Sequence, residues 1–443
     1  MDGKIFVLGL DCAPPKILYN DLRGELENIE SLMTYKYELP STHPPITIPA
    51  WISMATGKTP GELGLYGFRH RRLGSYNEMY IANSRMVRAR TVWDVMGRQG
   101  KRSIVVGVPP TYPPKPIRGW MITDFITPGP DKNYTWPPNL KREVENLLGH
   151  PYIFDVEFRS HDKEKIKRGL WRMTEAQFKV LEHLVKTREW DFLFYVLIGT
   201  DRAHHAFWKF YDPDHPKYPG PNKYEDVIPE YYRLVDKLLG DLLQHVPRGT
   251  EFIVVSDHGA KPMKGAFAVN QWLMEEELLH LKKKPDKPGA DLRPDMIDWE
   301  KTKAWGWGGY YARIFLNVKG REPNGVIDPE EYEGFIEDLK KKIKEIRGPN
   351  GERWETKVYT PRELYPITNG DPPDLMVYFD DLYWRSAGTI GWPSMYLEEN
   401  DRGPDDAVHD WIGIFATTIK HHRRPANVTE VFTKGVALLT NTG

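Results

Sequence analysis

The chain has 443 residues, with 61 Lys and Arg against 62 Asp and Glu, and a formal net charge of -1 offers no bulk attraction to nucleic acid or an anionic membrane. Its single cysteine, Cys12, excludes an internal disulfide framework and a cysteine-based zinc cluster, and fits a reducing, cytoplasmic setting. The length exceeds what one hydrophobic core usually fills, so a core with a large insertion, or two domains, is expected.

In chain order, the first apolar run, Lys4 to Leu10, has strand length and ends directly on Asp11. It is too short for a membrane anchor and lacks the build of a signal peptide. Ser103 to Val108, Phe192 to Ile198 and Glu251 to Val255 are further runs apolar enough to be buried on both faces, the mark of a parallel sheet. Between them Thr91 to Gln99, Arg172 to Thr187 and Glu230 to His245 carry helical periodicity. The pattern predicts an α/β fold: a mostly parallel central sheet with helices on both faces.

Two stretches interrupt it. Residues Pro109 to Tyr152 are rich in proline and aromatics and predict ordered, irregular loops. Residues 282–402 carry a helix from Pro329 to Ile346 and the strand-like ARIFLNV and LMVYF, and read as an inserted cap that extends the main sheet and sets specificity. Residues 1–281 and 403–443 then form the catalytic core.

The chemistry gathers near predicted strand ends, where open α/β sheets collect ligands. Asp11 follows the first strand, and alone it would read as a turn cap. A second strand ends the same way, in SDHG, delivering Asp257 and His258 together. Asp201 and His205, four apart after a third strand, share one face if the chain turns helical, at chelating distance. His204 falls off that face and reads as a surface or supporting residue. His409 in AVHDWIGIFATT precedes a candidate last core strand and would supply a third ligand to Asp201 and His205, as an open catalytic zinc site commonly requires. The segment THPPITIPAWISMATGKT offers Thr42, Thr47, Ser53, Thr56 and Thr59, and sequence physics does not choose among them. Thr47, before Ile-Pro and a helix start, sits where unpaired amides favour a bound phosphate.

Together LGLDCAPP, PITIPAWISMATGKTPGELG, the D-x-x-x-H of Asp201 and His205, SDHG, and H-x-x-x-G-I-F at His409 resemble the type I phosphodiesterase and nucleotide pyrophosphatase branch of the alkaline phosphatase superfamily. The resemblance implies an alkaline-phosphatase-like three-layer sandwich and two divalent ions, most often zinc, although Asp and His also suit manganese or iron. It implies one ion on Asp201, His205 and His409 and another on Asp11, Asp257 and His258, with Thr47 at the metals as nucleophile and a phosphothreonine intermediate. Small phosphate esters are then the expected substrates. The chain departs from that family where an asparagine contacts a phosphate oxygen, since Phe68 stands there; the basic run Arg69, His70, Arg71, Arg72 reads as a surface loop, with Arg69 a candidate phosphate contact. Cys12-Ala13-Pro14-Pro15-Lys16 imitates a sulfatase signature, but beside the first metal acid and with lysine for arginine. The same site would serve a phosphomonoesterase or phosphotransferase. A metal-stabilised carbohydrate- or headgroup-binding protein, suggested by the aromatics of KAWGWGGYYAR, is the reading from another class.

Overall fold

The computed structural model describes residues 3–439 and divides into two compact units. The first comprises the chain up to Leu63, Ala82–Ala260 and the segment from His409 onward. Its centre is an eight-stranded sheet of β1 (Ile5–Leu10), β2 (Tyr35–Pro40), β3 (Ser103–Val106), β4 (Gly119–Ile122), β5 (Thr135–Trp136), β6 (Phe192–Leu197), β7 (Glu251–Val255) and β8 (Ile412–Thr417), in the spatial order β2-β8-β7-β1-β6-β3-β4-β5. The five central strands from β7 to β4 are parallel. β8 runs against them and β2 against β8, so β2 again points the same way as the core.

Every residue of β1 and β6 is buried, as their unbroken apolar runs predict. Successive residues of β6 show that both sheet faces are covered. Phe194 meets Trp51 and Trp93 edge-on from the helices α1 (Thr47–Thr56) and α2 (Val92–Arg98). Tyr195 turns the other way, to Phe178 and Gln177 of the long helix Lys163–Thr187. Each such aromatic contributes about 1.5–3 kcal/mol through burial. On β1, Gly9 is required by close approach: a Cβ there would lie 2.7 Å from the Trp51 ring and 2.9 Å from Val196.

The elements differ from the sequence expectation in informative places. The long helix starts at Lys163 instead of Arg172, because Asp162 caps it through the Lys165 amide and Ile166 and Leu170 continue the buried stripe. The third core strand stops at Val106, since Gly107 takes φ 71°. The proline-rich stretch is less irregular than expected: Gly119–Ile122 and Thr135–Trp136 complete the sheet edge and Leu140–Leu148 is helical. Among the described residues no helix is long and apolar enough to cross a membrane.

The second unit comprises Gly64–Ile81 and Lys261–Val408. Its strands Ala304–Trp307, Ala312–Leu316, Leu375–Tyr378 and Lys357–Tyr359 make an antiparallel sheet of their own, in that spatial order, so they do not extend the main sheet. The helix Tyr332–Lys344 buries Ile336, Leu339 and Ile343. Within the aromatic segment Trp305 and Tyr311 are buried in the core while Trp307 and Tyr310 are half-buried, and nearby Trp299 lies flat on Tyr76 at 3.6 Å. The basic run is surface only in part: Arg69 and Arg72 are exposed, while His70 and Arg71 are buried. Arg69–Arg71 form a short strand paired with Met79–Ile81, His70 Nε2 accepts the Tyr66 amide, and Arg71 forms a fully buried pair with Glu322 at 3.0 Å, its guanidinium beside the rings of Trp305 and Phe315. A charge removed from water in this way persists because it is paired and further hydrogen-bonded, Glu322 accepting also from Arg321 and the Val318 amide and Arg71 donating also to Ser75 O. Arg69 itself is exposed, and its carbonyl accepts Arg313.

Candidate metal centre

The sheet brings all seven predicted residues to one edge of the first unit. Asp11 follows β1, Asp257 and His258 follow β7, and Asp201 and His205 lie in the helix α3 (Gly199–Tyr211) that opens just after β6. The strand ends are level, Leu10 opposite Leu197 and Gly9 opposite Val255. β2 leads by its carboxyl end to Thr47, and antiparallel β8 contributes its opposite end, so His409 in the short strand Ala407–Asp410 reaches the same edge. Two clusters result. The first gathers Asp201, His205, His409 and also Cys12, and the second Asp11, Asp257 and His258, with the donor atoms of each cluster within 4.8 Å of one another. The stacked rings of His258 and His409, centroids 3.8 Å apart, join them.

Whether these residues suit metal ions is decided by how their atoms are spent. Each carboxylate has one oxygen tied to an outer partner. Trp51 Nε1 donates to Asp11 Oδ2 at 2.7 Å, the Cys12 amide to Asp257 Oδ1 at 3.1 Å, and Arg202 Nη1 to Asp201 Oδ2 at 2.6 Å. The other oxygens, Asp11 Oδ1, Asp257 Oδ2 and Asp201 Oδ1, are buried and accept no well-formed hydrogen bond. The imidazoles follow the same plan. His409 Nδ1 donates to Pro45 O at 2.7 Å and His258 Nδ1 to Gly259 O at 3.0 Å, which turns each Nε2 toward the acids: His409 Nε2 lies 3.6 Å from Asp201 Oδ1 and His258 Nε2 3.1 Å from Asp257 Oδ2. Outer partners that hold one nitrogen or oxygen so that the other faces inward are the supporting shell of a metal site. Three buried carboxylate oxygens that face only the inward nitrogens of neighbouring imidazoles, His205 Nε2 at 3.2 Å from Asp201 Oδ1 among them, make a donor set suited to cations.

The electrostatics agree. Burial, with Asp257 and Asp201 adding repulsion, pushes the Asp11 carboxyl well above its ordinary range. Burial also raises Asp257. For Asp201 burial works in the same direction but is overcome by His205 and Arg202, which hold it well below. Burial opposes the His258 imidazolium, yet Asp257 and Asp11 carry it up to about 9, and burial together with that neighbouring charge drives His409 down to about 3. Positive charge placed between the carboxylates would favour the deprotonated states of Asp11, Asp257 and His258 that ligands need.

Thr47 stands apart from its neighbouring hydroxyls. Thr42 Oγ1 donates to Pro44 O, Thr56 Oγ1 to Ile52 O, and Thr59 Oγ1 to Glu62. Ser53 is buried within α1. Thr47 is the first residue of α1 but does not cap it, because Ile46 is the cap residue and no side chain caps the helix; Thr47 Oγ1 lies instead 3.3 Å from His258 Nε2. At 7% exposure it is the most accessible of the seven, the other six being at 0–3%. The amides of Thr47 and Ile48, without partners inside the helix, add positive potential beside it.

Sequence reasoning missed three participants. Arg202 is buried next to Asp201 and is itself gripped by Asp155, Nε to Oδ1 at 2.7 Å and Nη2 to Oδ2 at 2.8 Å, with Phe125 and Phe158 over its face. Trp51 and Cys12 are the other two, and only Cys12 carried a sequence signal, its place beside Asp11. His204 is buried, with Nε2 3.1 Å from Tyr232 OH, and is a supporting residue, not a surface one. Arg69 belongs to the second unit. Replacing Arg202 by Met removes the grip on Asp201 Oδ2 while keeping the stem; metal affinity should fall about 10–100-fold, measured by chelator competition, with the circular dichroism spectrum unchanged.

A model of the type I phosphodiesterase/nucleotide pyrophosphatase family matches residues 5–405, a span that contains six of the seven residues and ends before His409. No curated protein matches the sequence. Among solved structures, phosphonoacetate hydrolase from Sinorhizobium meliloti in complex with phosphonoacetate is 15% identical with a TM-score of 0.62, the likeness covering 98% of this chain and 95% of that one. Human ectonucleotide pyrophosphatase/phosphodiesterase 5 is 14% identical with a TM-score of 0.55, covering 97% and 92%. An inactive variant of the murine protein, in complex with AMP, is 13% identical with a TM-score of 0.54, covering 97% and 93%. At these identities the likeness establishes a common fold.

Proposed function

We propose that this chain, which belongs to the type I phosphodiesterase/nucleotide pyrophosphatase family and is a hydrolase of phosphoric ester bonds, cleaves small phosphodiesters through a phosphothreonine on Thr47. Asp201, His205 and His409 would hold one divalent ion and Asp11, Asp257 and His258 the other, with zinc the first choice for such Asp and His donors. Bound there, the ions would lower the pKa of the hydroxyl and neutralise charge developing on the phosphoryl oxygens.

The chain's own residues do the rest. Trp51, the Cys12 amide and Arg202 keep the three carboxylates turned inward. The Thr47 proton passes through solvent to the leaving alkoxide, and Oγ1 forms a bond to phosphorus as the bond to that leaving group breaks. The amides at the start of α1 face the phosphoryl oxygens throughout. Water then cleaves the phosphothreonine, restoring the hydroxyl and releasing the monoester. The observation that carries this reading is the 3.3 Å approach of Thr47 Oγ1 to His258 Nε2 beside three buried carboxylates, each with one oxygen turned toward the imidazoles.

A bis-nitrophenyl diester set against a mononucleotide tests the substrate class. The diester should be turned over faster, chelation should abolish turnover of both, and zinc should restore it. Faster release of phosphate from the mononucleotide would move the site to a phosphomonoesterase.

A further inference from the structure

Cys12 follows Asp11 at the end of β1, and its backbone takes φ 61°, the left-handed region that non-glycine residues seldom occupy. The turn has two consequences. The Cys12 amide is aimed at Asp257 Oδ1, and the side chain, fully buried, is delivered into the neighbouring cluster. There Sγ, the Asp201 carboxylate and one nitrogen each of His205 and His409 all lie within 4.8 Å of one another. Asp201 Oδ1, in a residue only 1% exposed, lies 3.2 Å from His205 Nε2 and 3.6 Å from His409 Nε2, so the two imidazoles and the carboxylate converge where the sulfur is delivered. The sulfur itself makes a long contact, 3.5 Å to Gly259 O, of the kind a weak thiol donor gives up readily.

We propose that Cys12 is a fourth protein ligand, bound as the thiolate beside Asp201, His205 and His409, so that the two ions occupy unlike donor sets. One set is sulfur, oxygen and two nitrogens; the other, from Asp11, Asp257 and His258, is two oxygens and one nitrogen. The inference rests on the two-ion reading above. As the sulfur–metal bond forms, the thiol proton passes to solvent and no electrons change hands. A thiolate selects zinc, cobalt or ferrous iron over magnesium, calcium or manganese, whereas the oxygen-rich set discriminates less. The chain would therefore load a thiophilic ion at Cys12 and accept a harder ion beside it.

Cobalt(II) substitution tests this directly, because Cys12 is the single cysteine and any thiolate-to-cobalt charge-transfer absorbance must come from it. The protein with two cobalt ions per chain should show an intense near-ultraviolet band that disappears in Cys12→Ser, while the visible cobalt bands remain. X-ray absorption of the zinc-loaded protein should show one sulfur at about 2.3 Å for every two ions. Zinc affinity of Cys12→Ser should fall at least about tenfold. Two bound cobalt ions with no such band, or zinc with no sulfur neighbour, would overturn the thiolate and leave the two-ion reading standing. Failure to bind either ion would overturn both. The wild-type spectrum decides the matter even where the serine variant folds poorly.

Discussion

Thr47→Ala should lose on the order of 10⁴-fold or more in kcat while keeping two metal ions and its folded stability. The substitution removes one oxygen from the first position of α1. That oxygen caps nothing, since no side-chain bond satisfies the helix start, and alanine is the best helix former, so the helix should not weaken. What disappears is the atom 3.3 Å from His258 Nε2 that would bond to phosphorus. Thr47→Ser keeps a hydroxyl at the same place and should recover much of the rate. Steady-state kinetics on a nitrophenyl diester, paired with elemental analysis and a thermal melt, reads all three quantities. Turnover near wild type in the alanine variant would exclude Thr47 as the nucleophile.

Asp257→Asn should reduce the bound metal from two ions per chain to one, and turnover at least about 100-fold, more than the loss of an outer partner costs. The amide is nearly the same shape as the carboxylate. Its oxygen can still accept the Cys12 amide that now holds Asp257 Oδ1. The other atom becomes an N–H donor where Asp257 Oδ2 stands unspent, so a donor replaces a ligand and a negative charge is lost beside Asp11 and His258. The fold keeps its hydrogen bond while the ion loses its oxygen. Two ions retained with full activity would refute the assignment of Asp257 to the centre.

Much of the site was legible in the linear chain because it is written at strand ends. An apolar run followed by Asp11, or by Asp257 and His258, states both the buried strand and the acid at its edge. The D-x-x-x-H spacing needed only the helix α3 to put Asp201 and His205 on one face, and Gly199–Tyr211 is that helix. The basic run after Phe68 is legible only in part, for an equally local reason: Arg69 and Arg72 are exposed, but Arg71 is not. Charge density suggests solvent, and nothing near Arg71 in sequence announces Glu322, 251 positions away, which pairs with it in the core of the second unit. The aromatics of KAWGWGGYYAR present the same ambiguity, which packing resolves for Trp305 and Tyr311.

The sequence by itself determined the inventory and order of the candidate ligands, the parallel sheet and the family, since each rests on periodicity or on residues a few positions apart. Tertiary structure alone decided which atoms are available. Trp51 spends one oxygen of Asp11 across 40 positions, Cys12 one oxygen of Asp257 across 245, and Pro45 one nitrogen of His409 across 364. It also singled out Thr47 from four neighbouring hydroxyls and turned Cys12 inward. A residue's type names the donors it carries, but which of them stays free depends on partners that only the folded chain brings within 3 Å or so.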